Sequence, residues 1–270
     1  MSNKYIFALD LDGTLLTDEK TISPKTKKYL KQLEDEGHYV VICSGRAPRS
    51  IYKFRELLEI NSPFVGYNGV IIEDPTKTKF ENVEHRLDRE VIKKIYKDLA
   101  PYSGAVMSES RKEIFLNERD EFLLQFFNPD GMMVKEGEFE DILDDDPFIY
   151  IFKVKNPEVN TKIISDYFKN VEGYEIRFWY TDPYAEIFKT NISKGSSILH
   201  LAKKLGVDED HILAFGDADN YTEILTDIKH SFAMCNGQDS LKDVARYVTK
   251  YDNNHDGVMH AIKDFLKEHK

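Results

Sequence analysis

Short apolar runs at residues 5–9, 39–43 and 64–66 are separated by amphipathic segments at 23–36 and 48–59, and this order constrains the fold more than anything else in the chain. An apolar run too short for a helix, then a helix-length amphipathic stretch, then another short run, is the order of βαβ units, which pack as a parallel sheet with helices on its faces. Ser23-Pro24 supplies an N-cap with proline at the first helical position, and Gly37 supplies a left-handed stop. The rhythm returns after residue 190, with helical patterns at 193–205, 218–226 and 257–268 and apolar runs at 211–215 and 231–234. From about 82 to 189 it is lost. Strand-like runs cluster there at 104–107, 113–117, 148–154, 175–180 and 184–189, the last two joined by the turn Thr181-Asp182-Pro183, with helical patterns only near 88–100 and 157–170. The expectation is an α/β chain in which residues 1–81 and 190–270 complete one doubly wound, mainly parallel sheet, and residues 82–189 form an inserted α+β domain.

In a parallel sheet of this kind ligands sit at the carboxyl ends of the strands, and that is where the chemistry-bearing residues fall. Asp10-Leu11-Asp12-Gly13-Thr14 follows the first apolar run, with two carboxylates two residues apart and a glycine that permits a sharp turn. Ser44-Gly45-Arg46 follows the second, where a hydroxyl and loop N–H groups can hydrogen-bond a phosphoryl oxygen. Lys194 opens a helix behind Asn191 and Ser193, so a point charge and the positive helix end meet an anion together. Gly216-Asp217-Ala218-Asp219-Asn220 adds carboxylates at a further strand end. An oxygen-only donor set of this sort suits magnesium, which takes one or two carboxylates, several waters and substrate phosphate.

Composition narrows the partners. A net charge of -11 argues against nucleic acid, since a phosphate backbone requires a basic face. No apolar run approaches a bilayer-spanning length, so no membrane association is expected. Two cysteines, Cys43 and Cys235, lie far apart in apolar stretches, as reduced thiols of a cytoplasmic protein would. A monomer or weak homo-oligomer is the expected state. Asp252-Asn253-Asn254-His255-Asp256-Gly257 opens like a calcium loop, but Lys263 stands where that loop needs a bidentate glutamate, so it reads as a turn.

Taken in order, these motifs resemble the haloacid dehalogenase-like superfamily, and most closely its Cof-type sugar-phosphate phosphatases, which carry a large α/β cap between the second and third motifs. Asn68-Gly69, Lys194-Gly195, Ala233-Met234 with Asn236, and Gly257-Val258 add to the resemblance. It implies a Rossmann-like core and a magnesium-dependent phosphatase acting on small phosphorylated metabolites, sugar phosphates foremost. By the resemblance Asp10 is the nucleophile that forms an aspartyl phosphate, and Asp12 the acid and base. Magnesium bridges the Asp10 carboxylate, the Asp12 main-chain carbonyl and the Asp217 carboxylate. Ser44, the Gly45 amide and Lys194 hold phosphoryl oxygens, with the Leu11 amide and Asn220 completing the cradle. Tyr221 departs from the pattern, standing where many relatives carry a further acid, so either Asp219 takes over part of that acid's work or, as its place two residues away on a helix start favours, the site runs with one carboxylate fewer. Discrimination among leaving groups falls to the inserted domain, where Phe126, Phe127, Tyr150, Phe178, Trp179, Tyr180 and Tyr184 could stack on a ring, although strand spacing makes most of them core. Two alternatives stay open: a phosphomutase that returns the phosphoryl group to a sugar, and a non-catalytic phosphometabolite-binding protein.

Overall fold

Four consecutive buried residues, Ile6–Leu9, form the first strand, β1, and their alternation decides how the surrounding chain packs. The computed structural model describes residues 4–179, 182–218 and 222–269. β1 is followed by α1 (Pro24–Asp35), β2 (Tyr39–Ile42), α2 (Pro48–Leu58), β3 (Phe64–Gly66), β4 (Ile71–Glu73) and β5 (Val83–Glu84). Then come α3 (Arg89–Leu99), β6 (Ser103–Glu109), β7 (Glu113–Leu116), α4 (Glu121–Phe127), β8 (Met133–Glu136), α5 (Phe139–Ile142), β9 (Ile149–Val154), α6 (Pro157–Phe168), β10 (Tyr174–Phe178) and β11 (Tyr184–Lys189). The chain closes with α7 (Lys194–Leu205), β12 (Ile212–Gly216), α8 (Thr222–Asp227), β13 (His230–Ala233), α9 (Asp239–Val244), β14 (Tyr247–Val248) and α10 (Gly257–Glu268).

Contacts divide the chain into two units, one made of residues up to Val83 together with those from Ser193 onward, the other of Glu84–Ile192. In the first unit a five-stranded sheet runs β14-β13-β12-β1-β2, parallel throughout. β3 continues this edge through a parallel bridge between Cys43 and Val65. The two faces of β1 feed two separate cores. Phe7 and Leu9, with Val40, Ile42, Leu213 and Phe215, pack against Leu30 and Leu33 of α1, Ile51 and Leu58 of α2, and Val258, Ile262 and Phe265 of α10. Ile6 and Ala8, with Val41, Ile212 and Ala214, pack against Ile198, Leu201 and Ala202 of α7 and Ile224 and Leu225 of α8. Period-two burial on both faces is what the near-continuous apolar strands require.

The chain proceeds outward from β1 to β2 and β3, then resumes at β12 on the other side of β1 and runs outward again to β13 and β14. The strand order therefore reverses between β1 and β12, the crevice where ligands of open α/β sheets bind. Leu9 lies opposite Phe215 in that pair, and the Asp10 N–H donates to the Phe215 carbonyl at 3.2 Å, so the residues after both strands emerge side by side.

The inserted unit holds a six-stranded sheet in the order β10-β11-β9-β6-β7-β8. All pairs are antiparallel except β7 with β8. Ile92, Ile95 and Leu99 of α3, Phe139 of α5 and Ile164 and Phe168 of α6 cover Val106, Phe115, Tyr150 and Phe152 of the sheet. The expected hairpin is present, with Phe178 opposite Ala185, although part of its turn, Thr181, lies outside the described residues. The edge strand β8 and the short helices α4 and α5 of this unit had no sequence expectation. Met133 and Val134 of β8 are both exposed, so no buried alternation marks the strand. No helix among the described residues is long and apolar enough to cross a membrane.

Candidate active site

The loop after β1 is shaped by what Asp217 needs. Residues Leu11–Leu15 coil tightly, with the coil broken at Asp12 (φ -72°, ψ 131°) and Gly13 (φ 67°, ψ -3°). A Cβ on Gly13 would fall 2.1 Å from Asp217 Oδ2, so a glycine here meets two demands at once, the left-handed backbone and the approach of the carboxylate. The Thr14 hydroxyl donates to Asp217 Oδ1 at 3.2 Å, and the Asn236 amide donates to the Gly13 carbonyl at 2.8 Å. The Asp217 carbonyl in turn accepts the Gln238 N–H at 2.9 Å. Burial pushes the Asp217 carboxyl above its ordinary range, and the negative charge of Asp10 pushes it further, while the Thr14 bond and the charge of Lys194 oppose the rise. A half-buried carboxyl raised by a buried carboxylate beside it makes a site that favours added positive charge.

Lys194 brings the first such charge. Ser193 caps α7 by accepting the Ser196 N–H, and Ser196 returns a bond to the Ser193 N–H, so the capping box fixes where the helix begins and Lys194 is its first residue. The ammonium is buried to 1% exposure and lies 3.9 Å from Asp10 Oδ1, itself on a carboxylate only 9% exposed. Asp10 is thus gathered at one end of the sheet with Lys194 and Asp217, which follow it in the sequence by 184 and 207 residues. Cys43 is in the same neighbourhood, and burial pushes its thiol up to about 12, which keeps it an inert packing residue.

The Asp12 side chain is engaged differently from the Asp10 side chain. Arg46 grips it with two bonds, Nε to Oδ2 and Nη2 to Oδ1, each 2.7 Å, and Lys20 Nζ donates to Oδ1 at 2.7 Å. Burial would raise this carboxyl, but the hydrogen bonds and charges of Arg46 and Lys20 outweigh it and hold the group down at about 2. Neither partner was anticipated. Arg46 stood in the Ser44-Gly45-Arg46 motif, yet nothing in sequence indicates that it reaches back 34 residues.

The second loop corrects one expectation. Ser44-Gly45-Arg46 was read as offering its loop N–H groups to a phosphoryl oxygen, but the Ser44 N–H is committed to the Val65 carbonyl (3.0 Å) and the Arg46 N–H to Ser44 Oγ (3.3 Å). The demands of joining β2 to β3 and of closing the turn consume them. Ser44 is buried at this strand end, and the Gly45 amide is the loop donor that these bonds leave to consider. Leu11 is buried directly after Asp10. Asn220, Asp219 and Tyr221 lie outside the described residues.

Among the described residues no three His, Cys, Asp or Glu side chains gather as a metal cluster. The candidate donors are instead the buried Asp10 carboxylate and the half-buried Asp217 carboxylate beside it. That fits magnesium, which needs only one or two carboxylates, and does not fit zinc. The segment that opens like a calcium loop is a structural clasp. Asp256 accepts bonds from the Ser23 and Thr26 hydroxyls, and the Asn253 amide donates to the Leu16 carbonyl at 3.0 Å.

Of the aromatic residues singled out in the inserted unit, Phe127, Tyr150 and Tyr184 are buried in its interior, and Phe178 and Trp179 are half-buried. Among the described ones only Phe126 is widely exposed, at 61%. Phe122, which was not singled out, stacks on Tyr184 at 4.9 Å and is also exposed. Tyr180 lies outside the described residues.

Comparison with known proteins identifies the family. The family described as haloacid dehalogenase-like hydrolase matches residues 7–262. Over 266 residues the chain is 32% identical to a 5-amino-6-(5-phospho-D-ribitylamino)uracil phosphatase of Bacillus subtilis, covering 97% of both. A second Bacillus subtilis phosphatase of the same name is 27% identical over 263 residues, covering 97% of this chain and 95% of the relative. A haloacid dehalogenase-like hydrolase from Bacteroides thetaiotaomicron has a similar fold, with a TM-score of 0.80 at 24% identity over 97% of this chain and 100% of that one.

Proposed function

The chain belongs to the haloacid dehalogenase-like hydrolase family and is a phosphatase, and from that premise we propose that it hydrolyses small phosphorylated metabolites through a phosphoaspartate on Asp10. The observation that carries this reading is the gathering of buried Asp10 and Lys194 with half-buried Asp217 where the strand order reverses. A carboxylate there is positioned as a nucleophile, with positive charge beside it to receive an anionic substrate.

In the first half-reaction Asp10 forms a bond to phosphorus as the bond to the leaving oxygen breaks, and Asp12 gives that oxygen a proton. In the second half Asp12 takes a proton from water, the water oxygen bonds to phosphorus, and Asp10 is released with inorganic phosphate. Splitting one displacement in two lets a single carboxylate serve as acid and then as base. Arg46 and Lys20 hold the Asp12 side chain as a carboxylate, so its service as an acid requires those pairs to loosen. Ser44, the Gly45 amide, Lys194, the Leu11 amide and Asn220 are the groups we assign to the phosphoryl oxygens. The Asp10 and Asp217 carboxylates with the Asp12 carbonyl would hold magnesium, whose chemistry here is to cancel charge between an anionic nucleophile and an anionic ester.

Sugar phosphates are the substrate class we favour. The two Bacillus subtilis relatives are named for a substrate whose phosphate sits on a ribityl chain bearing a uracil ring, which makes phosphorylated polyols of that kind the first to assay. No disulfide joins Cys43 and Cys235, in keeping with a cytoplasmic enzyme.

Phosphate release from p-nitrophenyl phosphate and from a panel of sugar and polyol phosphates tests the reading. Release should require added magnesium and stop on chelation, whereas release that survives exhaustive chelation would count against the metal assignment. Arg46→Ala separates the role of Asp12 from that of the nucleophile. Without the Arg46 charge the Asp12 carboxyl protonates more readily, so kcat on alkyl phosphates, whose leaving oxygen needs a proton, should hold or rise relative to kcat on p-nitrophenyl phosphate, whose good leaving group does not need that proton. A selective loss on alkyl phosphates would show that Arg46 assists the proton transfer instead of restraining it.

A further inference from the structure

After β3 the backbone passes through three successive residues in the left-handed region, Tyr67 (φ 47°), Asn68 (φ 55°) and Gly69 (φ 112°). Such a run is sustained only where the surroundings demand it, and runs of this kind cluster at functional sites. The surroundings here are the second loop and the start of α7. The Asn68 N–H donates to the Ser44 carbonyl and the Tyr67 N–H to the Arg46 carbonyl, both at 3.1 Å. On the other side the Gly69 carbonyl accepts the Ser197 hydroxyl at 2.8 Å, and a Cβ on Gly69 would lie 2.4 Å from the Ser193 carbonyl oxygen. Residues 67–69 therefore form a strap between the loop that carries Ser44 and Gly45 and the helix end that carries Lys194.

The side chain of Asn68 adds something that the strap alone does not need. It lies over Gly45, where a Cβ would come within 2.9 Å of Asn68 Oδ1 and 3.3 Å of Nδ2. Glycine would adopt a φ of 55° at less cost than asparagine. The presence of an amide at this position therefore points to the amide itself having a use.

We propose that Asn68 is a positioning residue of the phosphoryl site: its carboxamide covers Gly45 and fixes the orientation of the peptide that meets the phosphoryl group. The inference rests on the assignment of Ser44, Gly45 and Lys194 to phosphoryl oxygens. It also explains why position 45 is glycine, since any side chain there would take the space that the amide fills.

Asn68→Gly isolates the amide, because glycine keeps the left-handed strap and removes only the carboxamide. Binding of inorganic phosphate to the magnesium-loaded protein, measured by calorimetry, should weaken about five- to tenfold, the size of one lost polar contact. KM should rise with it, kcat should change less than about twofold, and Tm should not fall. Gly45→Ala should weaken phosphate binding more severely, and the double variant Gly45→Ala/Asn68→Gly should bind phosphate better than Gly45→Ala alone, since the colliding atoms are gone. Wild-type phosphate affinity in Asn68→Gly would overturn the inference while leaving the phosphoryl-site assignment intact, and additive losses in the double variant would do the same. A wild-type protein that binds no phosphate would overturn both.

Discussion

Asp10→Asn is expected to lower phosphate release by about 10⁴-fold or more while leaving the protein at least as stable as before. The amide keeps the shape of the side chain but cannot attack phosphorus, and loss of a covalent nucleophile costs on this order in enzymes that depend on one. Stability should move the other way. Asp10 is 6% exposed, and its charge helps to raise the carboxyl of Asp217 above the usual range, so in the absence of metal the two acids oppose one another in the fold. Neutralising one relieves that repulsion, the usual trade between a functional site and the stability of the scaffold that holds it. Activity assays and thermal melts of the metal-free protein should therefore diverge, with kcat collapsing and Tm holding or rising. A Tm that falls by many degrees would mean that Asp10 is a structural partner first.

Lys194→Met is expected to lose both properties. Its ammonium is 1% exposed and sits 3.9 Å from Asp10 Oδ1. Removing it deprives buried Asp10 and half-buried Asp217 of their neighbouring cation, and breaking a buried ion pair by truncating one partner typically costs about 3–5 kcal/mol. It also removes a positive charge from where negative charge develops on the phosphoryl group, an effect of roughly 10²–10³ in rate for a single electrostatic contact. The pair of variants is more informative than either alone. Asp10→Asn and Lys194→Met should both be nearly inactive, with shifts in metal-free Tm of opposite sign. Two shifts of the same sign would contradict the electrostatic description of the crevice.

The parallel sheet was legible because its strands are buried on both sides, so Ile6 and Ala8 serve one core and Phe7 and Leu9 the other, and the runs are apolar without interruption. Helix α1 was legible from Ser23, Pro24 and Gly37, each of which does in the structure what its chemistry suggests. β8 was not, because an exposed edge strand buries too little to leave a pattern. At the site the same division holds. Asp10, Lys194 and Asp217 stand at strand and helix ends, positions that can be located from local pattern, and the fold brings them together. The Arg46 grip on Asp12, the Thr14 bond to Asp217 and the amide of Asn68 over Gly45 depend on tertiary distance and on left-handed backbone, neither of which the residue order displays. The loop N–H groups of residues 44–46 were over-counted for a related reason, since a motif read in isolation does not reveal which of its donors the neighbouring strands will use.

The most direct test of the account is to mix the magnesium-loaded enzyme with a phosphate ester labelled at phosphorus, quench in acid within one turnover, and map the protein-bound label by peptide mass. The account predicts a transient acyl phosphate on the peptide containing Asp10, absent from Asp10→Asn. Label on another residue, or full turnover with no protein-bound phosphate at any time, would contradict it.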